Sequence, residues 1–229
     1  MNTAAARLRL TSARVTMTLV MERWTILGPQ DARSAPWRNG RGATSELAIW
    51  PEHASFSTGD FEWRVSMASV TENGPFSAFD GFTRALVVVD GTGLVLDHGE
   101  AGGRARLRPL EPYTFDGGWA TTAELHAGPV RDFGVLAHSD LWRIELEALR
   151  LGARRARLEL EAREHGFLHV LNGELTVRLD GEEDEAPLEA KDSLWVRPSR
   201  RGAELELTGM DASAIALFAR ISPSAARDL

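Results

Sequence analysis

The sequence predicts an all-β protein built from two copies of one β-barrel unit. From Trp24 onward the chain consists of short β-branched, aromatic and aliphatic runs parted by Gly, Asp, Asn and Pro, and apolar spacing at the helical period is scarce. The strand candidates are too many for one open sheet, which points to a sandwich or a barrel. Three pairs of segments also match one another in the same order in the two halves, as expected of a duplicated unit.

In chain order, "MNTAAARLRLTSARVTMTLVMERW" carries arginines at 7, 9 and 14, and Thr16 and Thr18 break its apolar run. It reads neither as a secretory signal nor as a membrane span. Residues 1–20 are set aside as a start-site extension or a disordered arm, with Met1, Met17 and Met21 as alternative starts. The first unit is expected over 21–138. In "FEWRVSMA" Phe61, Trp63, Val65 and Met67 share one face, while Glu62, Arg64, Ser66 and Ala68 share the other. In "TSELAI" Thr44, Glu46 and Ala48 oppose Ser45, Leu47 and Ile49. A small, polar, charged face suits either a ligand cavity or a solvated exterior. "LVVVDGTGLVLDHG" (86–99) aligns with "LHVLNGELTVRLDG" (168–181), setting the hairpin turn Asp90-Gly91 on Asn172-Gly173. "PLEPYTF" (109–115) matches "PLEAKDSLW" (187–195), and "AELHAGPVRDFGVLA" (123–137) matches "AELELTGMDASAIALFA" (203–219). The second unit is expected over 139–229. Its acidic run "DGEEDEAPLEA" (180–190) reads as a solvated turn.

Composition narrows the function. A formal net charge of −7 argues against a phosphate-backbone binder, so no nucleic-acid partner is expected, and no membrane partner either. The absence of cysteine excludes disulfides, thiolate metal sites and Cys nucleophiles, and fits a reducing cytoplasm. There is no Gly-rich phosphate loop and no Gly-x-Ser-x-Gly elbow.

A Gly-turn hairpin, a variable loop and a "Leu-x-x-x-Asp-x-Leu-x-Val" strand such as Leu188 to Val196 resemble the cupin barrel, and two such units resemble a bicupin of RmlC-like jelly rolls. "PWRNGRGATSELAIWP" (36–51), "FEWRVSMASVTENGPFSAFDGFTRALVVVDG" and "GPVRDFGVLA" together resemble the HutD/Ves family, from about Trp24 to Ala137. That resemblance implies a bacterial bicupin associated with histidine utilisation, with regulatory binding of a small pathway metabolite and no established catalysis. The chain departs from it at Gly134, where the family often has Asn.

Cupin enzymes hold a metal with His-x-His, a following Glu and a further His, ligands that fix a divalent ion and leave positions open. The Glu precedes the hairpin Gly by seven positions, and counting back from Gly91 and Gly173 gives Arg84 and Gly166. Neither is a carboxylate, so no metal and no cofactor is expected. His165 and His169 are expected as two half-exposed imidazoles beside a turn, and His53, His98, His126 and His138 stand alone in sequence. By the cupin alignment Arg84 points into the barrel, where a guanidinium needs an anion or an acidic partner. In "PWRNGRG" the glycines give a permissive turn that would bring Trp37 and Asn39 to a pocket rim, or else Trp37 is a core plug. Asp132 either pairs with Arg131 or orients a pocket arginine.

The expected ligand-binding set is Trp37, Asn39, Thr44, Glu46, Arg64, Ser66, Arg84 and Asp132, with no catalytic residue assigned. The expected function is metal-free binding of a small carboxylate metabolite, formylglutamate or urocanate. One alternative is a cupin-type enzyme using Glu46 as acid or base beside Arg64 and Arg84. The other is an interaction protein whose second unit builds a homodimer.

Overall fold

Turn residues cut the chain into strands of two to nine residues. The computed structural model describes residues 23–36 and 42–225. The first half holds β1 (Trp24–Leu27), β2 (Arg33–Pro36), β3 (Gly42–Trp50), β4 (Trp63–Val70), β5 (Gly74–Pro75), β6 (Phe82–Asp90), β7 (Leu94–Asp97), β8 (Arg104–Leu107), β9 (Tyr113–Asp116), β10 (Thr122–Leu125) and β11 (Val130–His138). The second half holds β12 (Trp142–Arg150), β13 (Arg155–Leu160), β14 (His165–Asn172), β15 (Glu174–Leu179), β16 (Ala186–Glu189), β17 (Ser193–Val196), β18 (Ala203–Gly209) and β19 (Ile215–Pro223). Among the described residues there is no α-helix, and no helix long and apolar enough to cross a membrane. The N-terminal arm expected over residues 1–20 lies outside the described residues.

The strands form four sheets, ordered β2-β3-β4-β11-β6-β9, β5-β10-β7-β8, β1-β17-β14-β19-β12 and β13-β18-β15-β16. Aligning β4, β11, β6 and β9 with β12, β19, β14 and β17 also aligns β5, β10, β7 and β8 with β13, β18, β15 and β16. The two halves therefore repeat one barrel, and the fold is a bicupin. β1 precedes the first barrel in the chain yet is hydrogen-bonded to β17 of the second, with Trp24 opposite Val196. Gly91 and Gly173 close equivalent hairpins at φ of 94° and 70°. A Cβ at either would come within 2.7 Å of the Pro129 carbonyl or 2.8 Å of Ala214 Cα, so both turns require glycine.

Loop lengths correct the ungapped alignment of the repeats. Leu94 pairs with Leu107 as Leu175 pairs with Leu188, so the first hairpin turn is one residue longer than the second. Leu188 therefore corresponds to Leu107, and the two Pro-Leu-Glu triplets are not equivalent. Across β6–β11 and β14–β19, Asp90 opposite Arg131 matches Asn172 opposite Ile215, each pair followed by a bulge. From these registers Arg84 corresponds to Gly166, as counting from the hairpin glycines gave, Asp132 to Ala216 and Gly134 to Phe218.

Among the described residues four apolar clusters are buried, the smallest around Ile49, Ala54, Phe61 and Leu136. Leu86, Val88, Leu94, Leu96 and Leu107 fill the first barrel, and Leu168, Val170, Leu175, Leu205 and Phe218 fill the second. Trp63, Phe133, Phe167, Trp195 and Leu217 are buried between the barrels. Burial is worth about 1.5–3 kcal/mol for each large apolar side chain, so this middle core binds the barrels together. It uses the outward, greasy faces of β4 and β11 and leaves their other faces for the first barrel's interior.

Candidate functional site

Paired residues in adjacent strands leave the sheet on the same side, so the pairing registers define rows of side chains. One row of the six-stranded sheet is Ile49, Arg64, Leu136, Arg84 and Phe115. The next is Glu46, Ser66, Gly134, Leu86 and Tyr113, and a third is Thr44, Ala68, Asp132 and Val88. Leu86, Val88 and Phe115 pack on the facing four-stranded sheet, so all three rows line the first barrel. Thr44, Glu46, Arg64, Ser66, Arg84 and Asp132 thus share one interior face. Trp37 and Asn39 lie outside the described residues. The expected alternation of β3 holds up to Glu46, where a bulge puts Ala48 opposite Val65 in the middle core and Ile49 on the barrel side.

The two arginines differ in their partners. Arg64 Nε donates to Glu46 Oε2 at 2.9 Å, with the side chains 12% and 13% exposed, and its guanidinium lies 4.1 Å from the Phe56 ring centre. Glu46 is therefore bonded to Arg64 and is not the partner of Arg84. No hydrogen bond or ion pair engages Arg84 among the described residues. Its guanidinium stacks on Phe76 at 4.5 Å and lies 5.8 Å from the centre of Phe115. Burial pulls Arg84 below its ordinary value; Asp132 opposes that shift and Arg64 adds to it.

Asp132 is 2% exposed, and its Oδ2 has no hydrogen-bond partner. Burial pushes its carboxyl up to about 6 against the pull of Arg84. It does not pair with Arg131, which alternation sends to the opposite face, where it is exposed. Between these groups Gly134 is only partly buried, and a Cβ there would meet nothing closer than Asp132 Oδ1 at 3.7 Å. The interior therefore combines a partly exposed glycine, a guanidinium that no acid bonds among the described residues and a carboxyl without a donor.

Sequence reasoning missed the aromatic partners. Phe56 is 41% exposed and packs with Phe61 and Phe79 at the barrel mouth. Its loop carries no periodicity that could reveal the contact with Arg64. Phe76 belongs to the quoted Gly-Pro-Phe-Ser segment, which was the available signal.

The imidazoles correct an expectation. His165 and His169 are buried between the barrels rather than half-exposed beside a turn. Their even spacing on β14 points both at the middle core. Trp195 Nε1 donates to His165 Nδ1 at 3.3 Å, and Trp50 and Trp63 pack edge-on against the ring at 4.8 and 4.9 Å. His169 Nδ1 is hydrogen-bonded to Ser193 Oγ at 2.8 Å, and burial pulls its pKa down to about 4, with Arg131 adding to the shift. His98 is a satisfied core residue, bonded to Thr121 and Tyr113. The first barrel's interior does not fit a divalent metal, because two guanidinium groups occupy the face on which imidazole and carboxylate ligands would be needed.

Fold and site together define the class: a bicupin with one charged, partly open barrel and one apolar barrel. Residues 29–216 match the HutD family, and the chain belongs to it. Protein Ves of Escherichia fergusonii is 34% identical over 110 residues, covering 46% of this chain and 55% of that protein. An uncharacterised 21.2 kDa protein in the hutC 3′ region of Pseudomonas putida is 31% identical over 128 residues, 56% of this chain and 65% of that one. The chain thus spans between half and two thirds of the length of these curated relatives. Among solved structures, the conserved protein of unknown function PA5104 from Pseudomonas aeruginosa PAO1 superposes with a TM-score of 0.78 at 27% identity, covering 87% of this chain and 98% of that one. HutD from Pseudomonas fluorescens SBW25, in a formate condition, gives 0.69 at 26%, covering 88% and 99%.

Proposed function

We propose that this chain is a metal-free binding protein for a small carboxylate metabolite, with a regulatory or accessory role in amino-acid catabolism, specifically histidine utilisation. Formylglutamate and urocanate are the candidate ligands. The observation that carries the reading is Arg84, a partly buried guanidinium on the first barrel's interior face that no acid bonds among the described residues. A charge in that state costs stability unless something pairs with it, and a carboxylate matches its fork. The relatives' names support the pathway: one is a protein of the hutC 3′ region and another is called HutD. Binding is favoured over turnover because Glu46, the acid or base of the enzyme alternative, is held by Arg64. The protein is proposed to work in the cytoplasm, with a homodimer as the assembly to check by solution mass.

A thermal-shift screen across histidine-pathway intermediates tests the proposal. A ligand at about 100 times its Kd stabilises by about 2.7 kcal/mol, a shift of several degrees for a domain of this size. No shift with any carboxylate intermediate would overturn it.

A further inference from the structure

Arg84 accounts for one end of a ligand and leaves Asp132 unexplained. Asp132 is almost fully buried, its Oδ2 has no hydrogen-bond partner, and no ion pair joins it to Arg84 among the described residues. Its row neighbours, Ala68 and Val88, have no side-chain donor. The other charged groups on this interior face are Arg84 on β6, Arg64 on β4, its partner Glu46 on β3 and the exposed Arg33 opposite Glu46 on β2; Tyr113 on β9 is hydrogen-bonded to His98, and the facing sheet contributes the apolar Leu94, Leu96 and Leu107. Gly134, only partly buried, projects no side chain between Asp132 and the barrel interior: a Cβ there would stand in ordinary contact with Asp132 Oδ1, at 3.7 Å. An ionised carboxylate can only accept hydrogen bonds, so it needs a donor. A ligand that was anionic throughout would satisfy Arg84 but set its charge against Asp132.

We infer that the pocket is built for a ligand carrying an N–H donor close to its carboxylate, the carboxylate bound by Arg84 and the N–H by Asp132. The inference rests on the carboxylate-binding reading above and names the feature that separates one small acid from another. An acyl-amino acid or an imidazole acid has both groups; a plain dicarboxylate has one. Asp132, displaced upward to about 6, is ionised in mildly alkaline solution and largely protonated in mildly acidic solution. Deprotonation strengthens the bond to an N–H, so the margin by which an N–H acid outbinds a plain dicarboxylate widens as pH rises.

Calorimetric titration of the full chain with N-acetyl-L-glutamate and with glutarate, which lacks the nitrogen, tests this at about pH 8 and about pH 5.5. The N-acyl acid is expected to bind at least about tenfold more tightly than glutarate at the higher pH, the margin of one charge-assisted hydrogen bond. The preference should narrow to about threefold or less at the lower pH, and at both pH values in Asp132→Asn, whose side chain cannot ionise. Equal affinity at the higher pH, or a preference that neither acidification nor Asp132→Asn alters, would overturn the inference while leaving carboxylate binding intact. Failure of both probes to bind would overturn the carboxylate reading and the inference with it. The wild-type pH comparison stands without the variant should Asp132→Asn not fold.

Discussion

The two barrels share a strand order and differ in what fills them. At the position where the first barrel has Gly134, the second has Phe218, 1% exposed, whose ring comes within 3.3 Å of a Cβ built on Gly166. Ala216 stands where Asp132 stands, and Gly166 where Arg84 stands. The second barrel thus carries a buried ring, its plug, at a position where the first projects no side chain. The arginines differ in the same sense. Arg220, equivalent to Leu136, bonds Glu145 at 2.6 Å and lies 3.5 Å from Glu164, whereas Arg84 has no acidic partner in bonding range among the described residues. One copy of the unit has become a packed support, and the other keeps an unpaired charge in an accessible interior.

Removing the plug is the largest perturbation expected. Phe218→Ala should lower stability by about 3–5 kcal/mol in denaturant titration, because the ring is fully enclosed by the second core. A loss below about 1 kcal/mol would mean that the second barrel can collapse around the gap, or is not rigidly packed.

Next comes the pH response of two buried groups, one in the first barrel's interior and one in the middle core. Asp132 has a folded pKa of about 6 against 3.8 unfolded, so its protonated form is preferred by the fold. Its contribution is present below the unfolded value and is lost as pH rises through about 6, about 3 kcal/mol in all. His169 runs the other way: from 6.5 it falls to about 4, so its contribution is present above 6.5 and lost on acidification, again about 3 kcal/mol. The two slopes oppose each other across that window. Asp132→Asn should therefore lose stability on acidification more steeply than the wild type, and His169→Gln less steeply, in denaturant midpoints measured across the same range. Parallel slopes in all three proteins would show that neither group is buried as described.

The smallest contrast is a pair of glycine replacements. A Cβ at Gly166 would stand 2.7 Å from Leu160 Cδ1 in a filled core, so Gly166→Ala should cost about 1–3 kcal/mol. Gly134→Ala meets nothing closer than 3.7 Å and should be neutral, or stabilising by up to about 1 kcal/mol through reduced freedom of the unfolded chain. Equal costs at the two sites would remove the distinction between an open and a plugged barrel.

Much of this was legible in the sequence, for identifiable reasons. The hairpin turns fix a count, and the count puts Arg84 and Gly166 at one equivalent position. Strict alternation in "FEWRVSMA" separates Arg64 and Ser66 from Trp63 and Val65, as the burial of β4 repeats. Illegible were features that depend on two distant segments meeting. The pairing of Glu46 with Arg64, rather than with Arg84, depends on the register of β3 on β4. The burial of His165 and His169 depends on a second barrel packing against the first, which the periodicity of β14 alone cannot reveal. The bulge after Glu46 defeats alternation locally, and unequal hairpin turns defeat an ungapped repeat.

Affinity and stability measured together on Arg84→Met test the central claim most directly, the claim that the first barrel holds a carboxylate through an otherwise unpaired arginine. Methionine keeps the approximate length and apolar stem but removes the fork. The expected result is a folded variant with a melting temperature near or above that of the wild type, and an affinity for formylglutamate or urocanate, whichever the wild type binds, lowered about ten- to a hundred-fold. A folded Arg84→Met that binds the same ligand as tightly as the wild type would contradict it.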